Sequence, residues 1–190
     1  YIKTGLLGLS PDECLELEDY AFLWTVHGSM WYRGPWRQHP DGFGAKNTEE
    51  SAQRLDRINA LRERVCAPLR RFEEDGRAAV TASQQASVLA RLWSDIGLAQ
   101  ALERRAARLD ELGLSREAAE YAQLWEITAS ALEQCAAVLG DMPMDQARFG
   151  QLFALMLSKY DVGTIPLSLD RVLCGDMDRM RRRHIKHLLV

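Results

Sequence analysis

Arg179, Arg181, Arg182, Arg183 and Lys186 set five positive charges within eight residues. Such a run can neutralise phosphates through charge-assisted hydrogen bonds and counterion release. It can equally be a solvated turn, or pair with acids elsewhere in a larger protein. A second group lies earlier, where Trp31, Arg33, Trp36 and Arg37 are interleaved with Tyr32, Phe43, His27 and His39. Aromatic faces beside guanidinium groups can stack unpaired bases. The competing reading, which the sequence favours, is that the tryptophans plug a loop onto a core.

Catalytic groupings are sparse. Asp176 and Asp178 would share a face on a strand and could hold Mg²⁺ with a third ligand such as Asp170, as in a small metal-dependent phosphodiesterase. Neighbouring Arg179, Arg181 and Arg182 favour ion pairing instead. The four histidines, His27, His39, His184 and His187, form no zinc-hydrolase motif with a glutamate between two ligands. No Gly-rich loop ends in Lys and Ser or Thr to wrap phosphates. The four cysteines, Cys14, Cys66, Cys135 and Cys174, contain no Cys-x-x-Cys pair, and Cys66 and Cys135 fall on apolar helix faces, as buried free thiols do. The expectation is no catalytic residue, no metal ligand and no cofactor site within these 190 residues.

Net charge is −3, so nucleic acid contact requires a local basic patch rather than a global field. Hydrophobic residues make up 47%, enough for a core in one domain. No apolar run of membrane-spanning length and no secretory signal is present, and the free cysteines point to the cytoplasm. The chain starts at Tyr1 and stops at Leu188-Leu189-Val190. An apolar end without a polar tail is expected of a piece of a larger protein, cut at the start of a buried strand.

The elements that must position these groups are mostly helical. Ser10-Pro11-Asp12-Glu13 is a helix start with a capping box, carrying Cys14, Leu17, Ala21 and Trp24 on one face and ending near Thr25. Residues 26–47 form a long loop punctuated by Gly28, Gly34, Pro35, Pro40, Gly42 and Gly44. A second helix begins near Asn47 or Thr48, with Leu55, Ile58, Leu61, Val65, Leu69 and Phe72 at helical spacing and Gly76 as its stop. Thr81 and Gln84 box the third helix, Gly97 interrupts it, and a charged helix resumes from Leu98 to Leu112. Ser115 is read as the cap of the next helix, whose Tyr121, Trp125, Thr128, Leu132, Cys135 and Leu139 make a heptad-like stripe suited to core packing or a dimer seam. Asp145 caps the last helix, with Phe149, Leu152, Phe153, Leu155 and Met156 inside. The expected fold is mainly α, a multi-helix bundle over 1–160, with a short β extension at the C-terminus, a strand-loop-strand segment over 161–190.

Two segments resemble a known family. Tyr1-Ile2-Lys3-Thr4-Gly5-Leu6, then Leu17-Glu18-Asp19-Tyr20 and Trp31, resembles an "LKTGL … LENY … W" stretch of AddB-type subunits of bacterial ATP-dependent helicase–nucleases. Gly163-Thr164-Ile165-Pro166-Leu167-Ser168-Leu169-Asp170-Arg171-Val172, then Gly175-Asp176-Met177-Asp178-Arg179, resembles the same family's "IPPxLDxVxxGDxxRxR" stretch. Asp19 stands where asparagine is usual, and Leu167 where a second proline is frequent. The resemblance implies a helical, 2B-like region of a superfamily-one helicase relative that has lost its motor activity. It implies an AddA-type motor partner, DNA reached through the assembled complex, and work in double-strand-break resection for homologous recombination. ATP with Mg²⁺ and an iron–sulfur cluster would belong to other parts of such a protein. A docking module for the motor subunit is the alternative role.

Overall fold

The computed structural model describes residues 1–160. Within them the chain runs through α1 (Pro11–Leu23), α2 (Glu49–Ala78), α3 (Ala82–Asp95), α4 (Leu98–Glu111), α5 (Ser115–Leu139) and α6 (Gln146–Leu157). The mainly helical expectation therefore holds. The expected strand-loop-strand over 161–190 lies outside the described residues.

Three helix starts are set by reciprocal side-chain caps. The Ser10 hydroxyl accepts from Glu13 N–H at 3.1 Å while Glu13 accepts from Ser10 N–H at 2.7 Å. Thr48 and Ser51 close the same box at α2, and Thr81 and Gln84 at α3. Each box satisfies two amides that have no partner inside the helix. Gly97, at φ +63°, turns the chain from α3 into α4. Asp145 caps α6 as expected, accepting from Arg148 N–H at 2.8 Å.

Three local expectations fail. Gly76 does not stop α2, which continues to Ala78. Gly76 is buried, with the Gln146 side chain packed where its Cβ would be, and its carbonyl accepts from Gln85 Nε2 at 2.9 Å. Ser115 does not cap α5; it is the first helical residue, and its hydroxyl donates to Asp110 at 3.2 Å. On α6, Phe149 and Phe153 enter the core and Leu155 stays 59% exposed. The expected face of α1 does hold: Leu17 is buried, Cys14, Ala21 and Trp24 are half-buried, and Tyr20 joins them as a second fully buried residue.

Packing gathers into two cores. One joins α1, the loop over 26–47 and the first part of α2 through Leu17, Tyr20, Trp36, Ile58, Leu61, Val65 and Cys66. The other joins α3, α5 and α6 through Ala82, Ala86, Ala131, Leu132, Cys135, Met144, Phe149 and Phe153. The stripe on α5 is thus used within the chain: Leu132 and Cys135 are buried, and Trp125 meets Trp93 edge-on at 6.1 Å. α4 packs along α5. Two backbone bonds, Met144 N–H to Val80 O and Ala82 N–H to Met142 O, both 3.0 Å, tie the α2–α3 link to the α5–α6 link. Among the described residues, no helix is long and apolar enough to cross a membrane.

Candidate functional site: an aromatic loop held by α1 and α2

The loop over 26–47 has little regular structure, so its backbone polar groups need partners from side chains. α2 supplies several of them. Asn59 reads the backbone of Trp36 twice, accepting from its N–H at 2.7 Å and donating to its carbonyl at 2.9 Å. Arg62 donates to the Trp31 carbonyl at 2.7 Å, and the Cys66 thiol reaches the same oxygen at 3.6 Å. α1 adds two more, with the Tyr20 hydroxyl donating to Gln38 O and the Trp24 indole donating to His39 O, both at 3.0 Å, and the loop's own Trp36 indole donates to Met30 O at 3.1 Å.

The ring of Trp36 is the plug. It stacks on Tyr20 with centroids 4.9 Å apart and planes within 7°, and Trp31 meets it edge-on at 5.1 Å. The Arg62 guanidinium lies 5.8 Å from the Trp36 ring centroid. That cation is 4% exposed, and its Nε has no partner among the described residues. A buried guanidinium is tolerated here because an aromatic face, a carbonyl and the Glu63 carboxylate, 3.2 Å from its Nη2, replace part of its water. Burial pushes the Cys66 thiol up from its ordinary value, opposed by the nearby Arg62 and Arg70 cations.

Arg33 and Arg37 are exposed, and Trp31 is half-buried. Of the four loop residues suited to base stacking, Trp36 therefore has its ring covered, while the two arginines face solvent. The basic run, Arg179, Arg181, Arg182, Arg183 and Lys186, lies outside the described residues, as do Asp176, Asp178, His184 and His187. Cys66 and Cys135 are buried free thiols, as their positions in apolar stripes indicate.

Sequence reasoning missed Arg62 as the centre of the clamp. The signal was present: position 62 falls between Ile58, Leu61, Val65 and Cys66 on the apolar face of α2, where a cation is out of place.

The other arginines of α2 mostly pair with acids. Arg57 reaches Glu16 at 2.8 Å, Arg54 reaches Asp41 at 2.5 Å, Arg64 reaches Glu13 at 3.3 Å and Arg70 reaches Glu63 at 3.2 Å. The Arg57 hydrogen bond holds the Glu16 carboxyl below the usual carboxylate range, against the opposing effect of its burial. Arg70 does the same for Glu63. These cations serve the chain's own structure. By contrast, no carboxylate among the described residues pairs with Arg33, Arg37 or Lys46. No group of three or more His, Cys, Asp or Glu suited to a metal ion occurs among the described residues.

Fold and loop together describe a mainly helical scaffold in which α1 and α2 grip an aromatic segment. No family model matches the chain. The chain is, however, 31% identical over 198 aligned residues to the AddB protein of Clostridium perfringens strain 13, the B component of an ATP-dependent helicase/deoxyribonuclease, covering 100% of this chain and 17% of that relative. The corresponding protein from Acetivibrio thermocellus is 29% identical over 192 residues, again covering 100% of this chain and 17% of the relative. That of Clostridioides difficile strain 630 is 25% identical over 189 residues, covering 99% of this chain and 16% of the relative. The resemblance to AddB-type subunits thus extends along the whole chain, and the chain spans 16–17% of the length of these relatives.

Proposed function

We propose that the chain is a non-catalytic scaffold and DNA-path region of an AddB-like helicase–nuclease subunit, acting in the cytoplasm in double-strand-break resection and homologous recombination. The observation that carries this reading is the end-to-end similarity to AddB proteins named as subunits of an ATP-dependent helicase/deoxyribonuclease. Their naming as subunits supports a partner, here an AddA-type motor chain. The sequence carries no phosphate-wrapping Gly-Lys loop, so ATP with Mg²⁺, and the iron–sulfur cluster the family implies, belong in this reading to other parts of the parent protein.

In this role the helices set the spacing between neighbouring regions, and Arg179, Arg181, Arg182, Arg183 and Lys186 neutralise phosphates along the strand's path. The test is DNA binding by the chain, single- and double-stranded, at two salt concentrations, beside a variant with Arg179, Arg181, Arg182 and Arg183 changed to Glu. Weak, salt-sensitive binding lost in the variant is the expected result. Unchanged binding in the variant would remove the basic run from the DNA path.

A second reading, docking of the motor subunit, draws support from one feature of the bundle. A largely apolar cleft of about 410 Å³ opens among Phe72, Leu89, Trp93, Phe149, Phe153 and Leu157. Capture of an AddA-type partner that is insensitive to salt, with no DNA binding by the chain, would favour it.

A further inference from the structure

The loop that buries Trp36 turns a different aromatic outward. Phe43 is 97% exposed. It stands between Gly42 and Gly44, whose φ values of +96° and +78° suit glycine and few other residues. Underneath, Gly42 sits against Leu23: a Cβ there would lie 3.6 Å from a Leu23 methyl. The half-buried ring of Trp24 lies beside Phe43, centroids 5.5 Å apart and planes tilted by 43°. Trp24 is itself anchored by its indole bond to His39 O at 3.0 Å.

One imidazole closes the segment that carries Phe43. His39 Nδ1 accepts from Asp41 N–H at 3.1 Å, and its Nε2 lies 3.1 Å from the Lys46 carbonyl, to which it donates. The neutral Nε2–H tautomer satisfies both contacts at once. The phenyl ring is therefore held out by a tied turn rather than left on a loose end.

The one carboxylate within the tied segment is already paired. Asp41 is engaged by Arg54 at 2.5 Å. Lys46 at one end of the tied segment, and Arg37 two residues before His39, are exposed or half-exposed and pair with no carboxylate among the described residues. Exposed aromatic faces flanked by available cations match single-stranded nucleic acid, whose bases offer π faces and whose phosphates are anionic. An apolar protein surface would use the rings but leave the cations unanswered.

We propose that Phe43 and Trp24, flanked by Arg37 and Lys46, form a stacking platform for unpaired bases of single-stranded nucleic acid. The proposal rests on the DNA-path reading and adds to it a contact distinct from the basic run at 179–186.

The test uses the 190-residue chain and three labelled probes read by anisotropy: a short oligothymidylate, an abasic backbone of equal length, and a duplex. The oligothymidylate is expected to bind about tenfold more tightly than the abasic backbone, the scale of one stacked base. Phe43→Ala is expected to erase that preference at unchanged melting temperature, because the ring it removes has almost no packing. Phe43→Trp is expected to keep it. Changing Arg37 and Lys46 together to Ala is expected to weaken both single-stranded probes and to flatten their salt dependence. Equal binding of the base-bearing and abasic probes by the unaltered chain would overturn the platform, and so would a preference that survives Phe43→Ala. If either result came with binding that is lost on changing Arg179, Arg181, Arg182 and Arg183 to Glu, the DNA-path reading would stand alone. If Phe43→Ala abolished capture of an AddA-type partner and left oligonucleotide binding intact, the rings would be assigned to protein docking instead.

Discussion

The two cores, one around α1, the loop and α2 and the other among α3, α5 and α6, are held together in different ways. Around α1 and the loop, the contacts are polar and directional: Asn59 on the Trp36 backbone, Arg62 on the Trp31 carbonyl, Tyr20 and Trp24 on the carbonyls of Gln38 and His39. In the bundle, the core is made of small and apolar side chains, with Ala82, Ala86 and Ala131 letting helices approach and Phe149 and Phe153 stacked at 6.2 Å. The reason lies in the backbone. Helices satisfy most of their own amides and carbonyls, so the bundle relies chiefly on shape, with buried Gln85 serving the end of α2 through Gly76 O and Ala79 O. A long loop satisfies few of its own, so its core must contain hydrogen-bonding side chains, each costly to remove. The same polar demand fixes one face of the loop against α2 and leaves Phe43 on the other.

The sharpest way to break this comparison is to truncate one large ring in each core. Trp36→Ala and Phe149→Ala should each cost about 3–5 kcal/mol in chemical denaturation, the range for losing a buried aromatic. Hydrogen exchange should then separate them, with protection lost first in α1 after the Trp36 change and first in α5 and α6 after the Phe149 change. Identical exchange patterns would mean that α2 fuses the two cores into one cooperative unit.

Next in size is the clamp. Arg62→Met keeps much of the side-chain volume but leaves the Trp31 carbonyl with only the distant Cys66 thiol, and should cost about 1–3 kcal/mol. If Arg62→Met were neutral or stabilising, the guanidinium would be tolerated in the core rather than needed by the loop.

A smaller effect depends on pH. The Glu16 carboxyl is held below its ordinary range by Arg57. The unfolded chain therefore takes up the proton first, near pH ~4.3, so this contribution is present above about that pH and is lost as pH falls through the lower folded-state value. Melting temperature followed from neutral to acid pH should fall less steeply below about pH 4.3 in Glu16→Gln than in the unaltered chain. Part of the slope should remain, because Glu13 and Glu63 are held low too. Parallel curves would mean that water screens the exposed Arg57 enough to cancel the pair.

The smallest change probes the seam between the cores. Gly76→Ala gains about 1 kcal/mol of helix propensity but must displace the Gln146 side chain, so the net change should stay within about 1 kcal/mol. A larger loss would show that Gln146 cannot move away from α2.

Much of this architecture was legible in the residues. The caps at Ser10, Thr81 and Asp145, the break at Gly97 and the long loop over 26–47 depend on neighbours within four residues, and a linear reading captures interactions of that range. The apolar stripes of α2 and α5 were likewise visible as periodicity, and the end motifs pointed to the AddB relatives. What the periodicity left undecided was the use of each aromatic. Trp36 and Phe43 lie seven positions apart in one loop, yet one is 7% exposed and the other 97%. Composition treats them alike. Tyr20 and Arg62, far away along the chain, form the slot that takes Trp36 and offers nothing to Phe43. Gly76 follows the same logic: glycine ends helices by local preference, but here a side chain from α6 fills the space beside it and the helix runs on. Local capping and hydrophobic spacing are written in short stretches of sequence, whereas the inward or outward choice of a ring is settled only by partners that folding brings alongside.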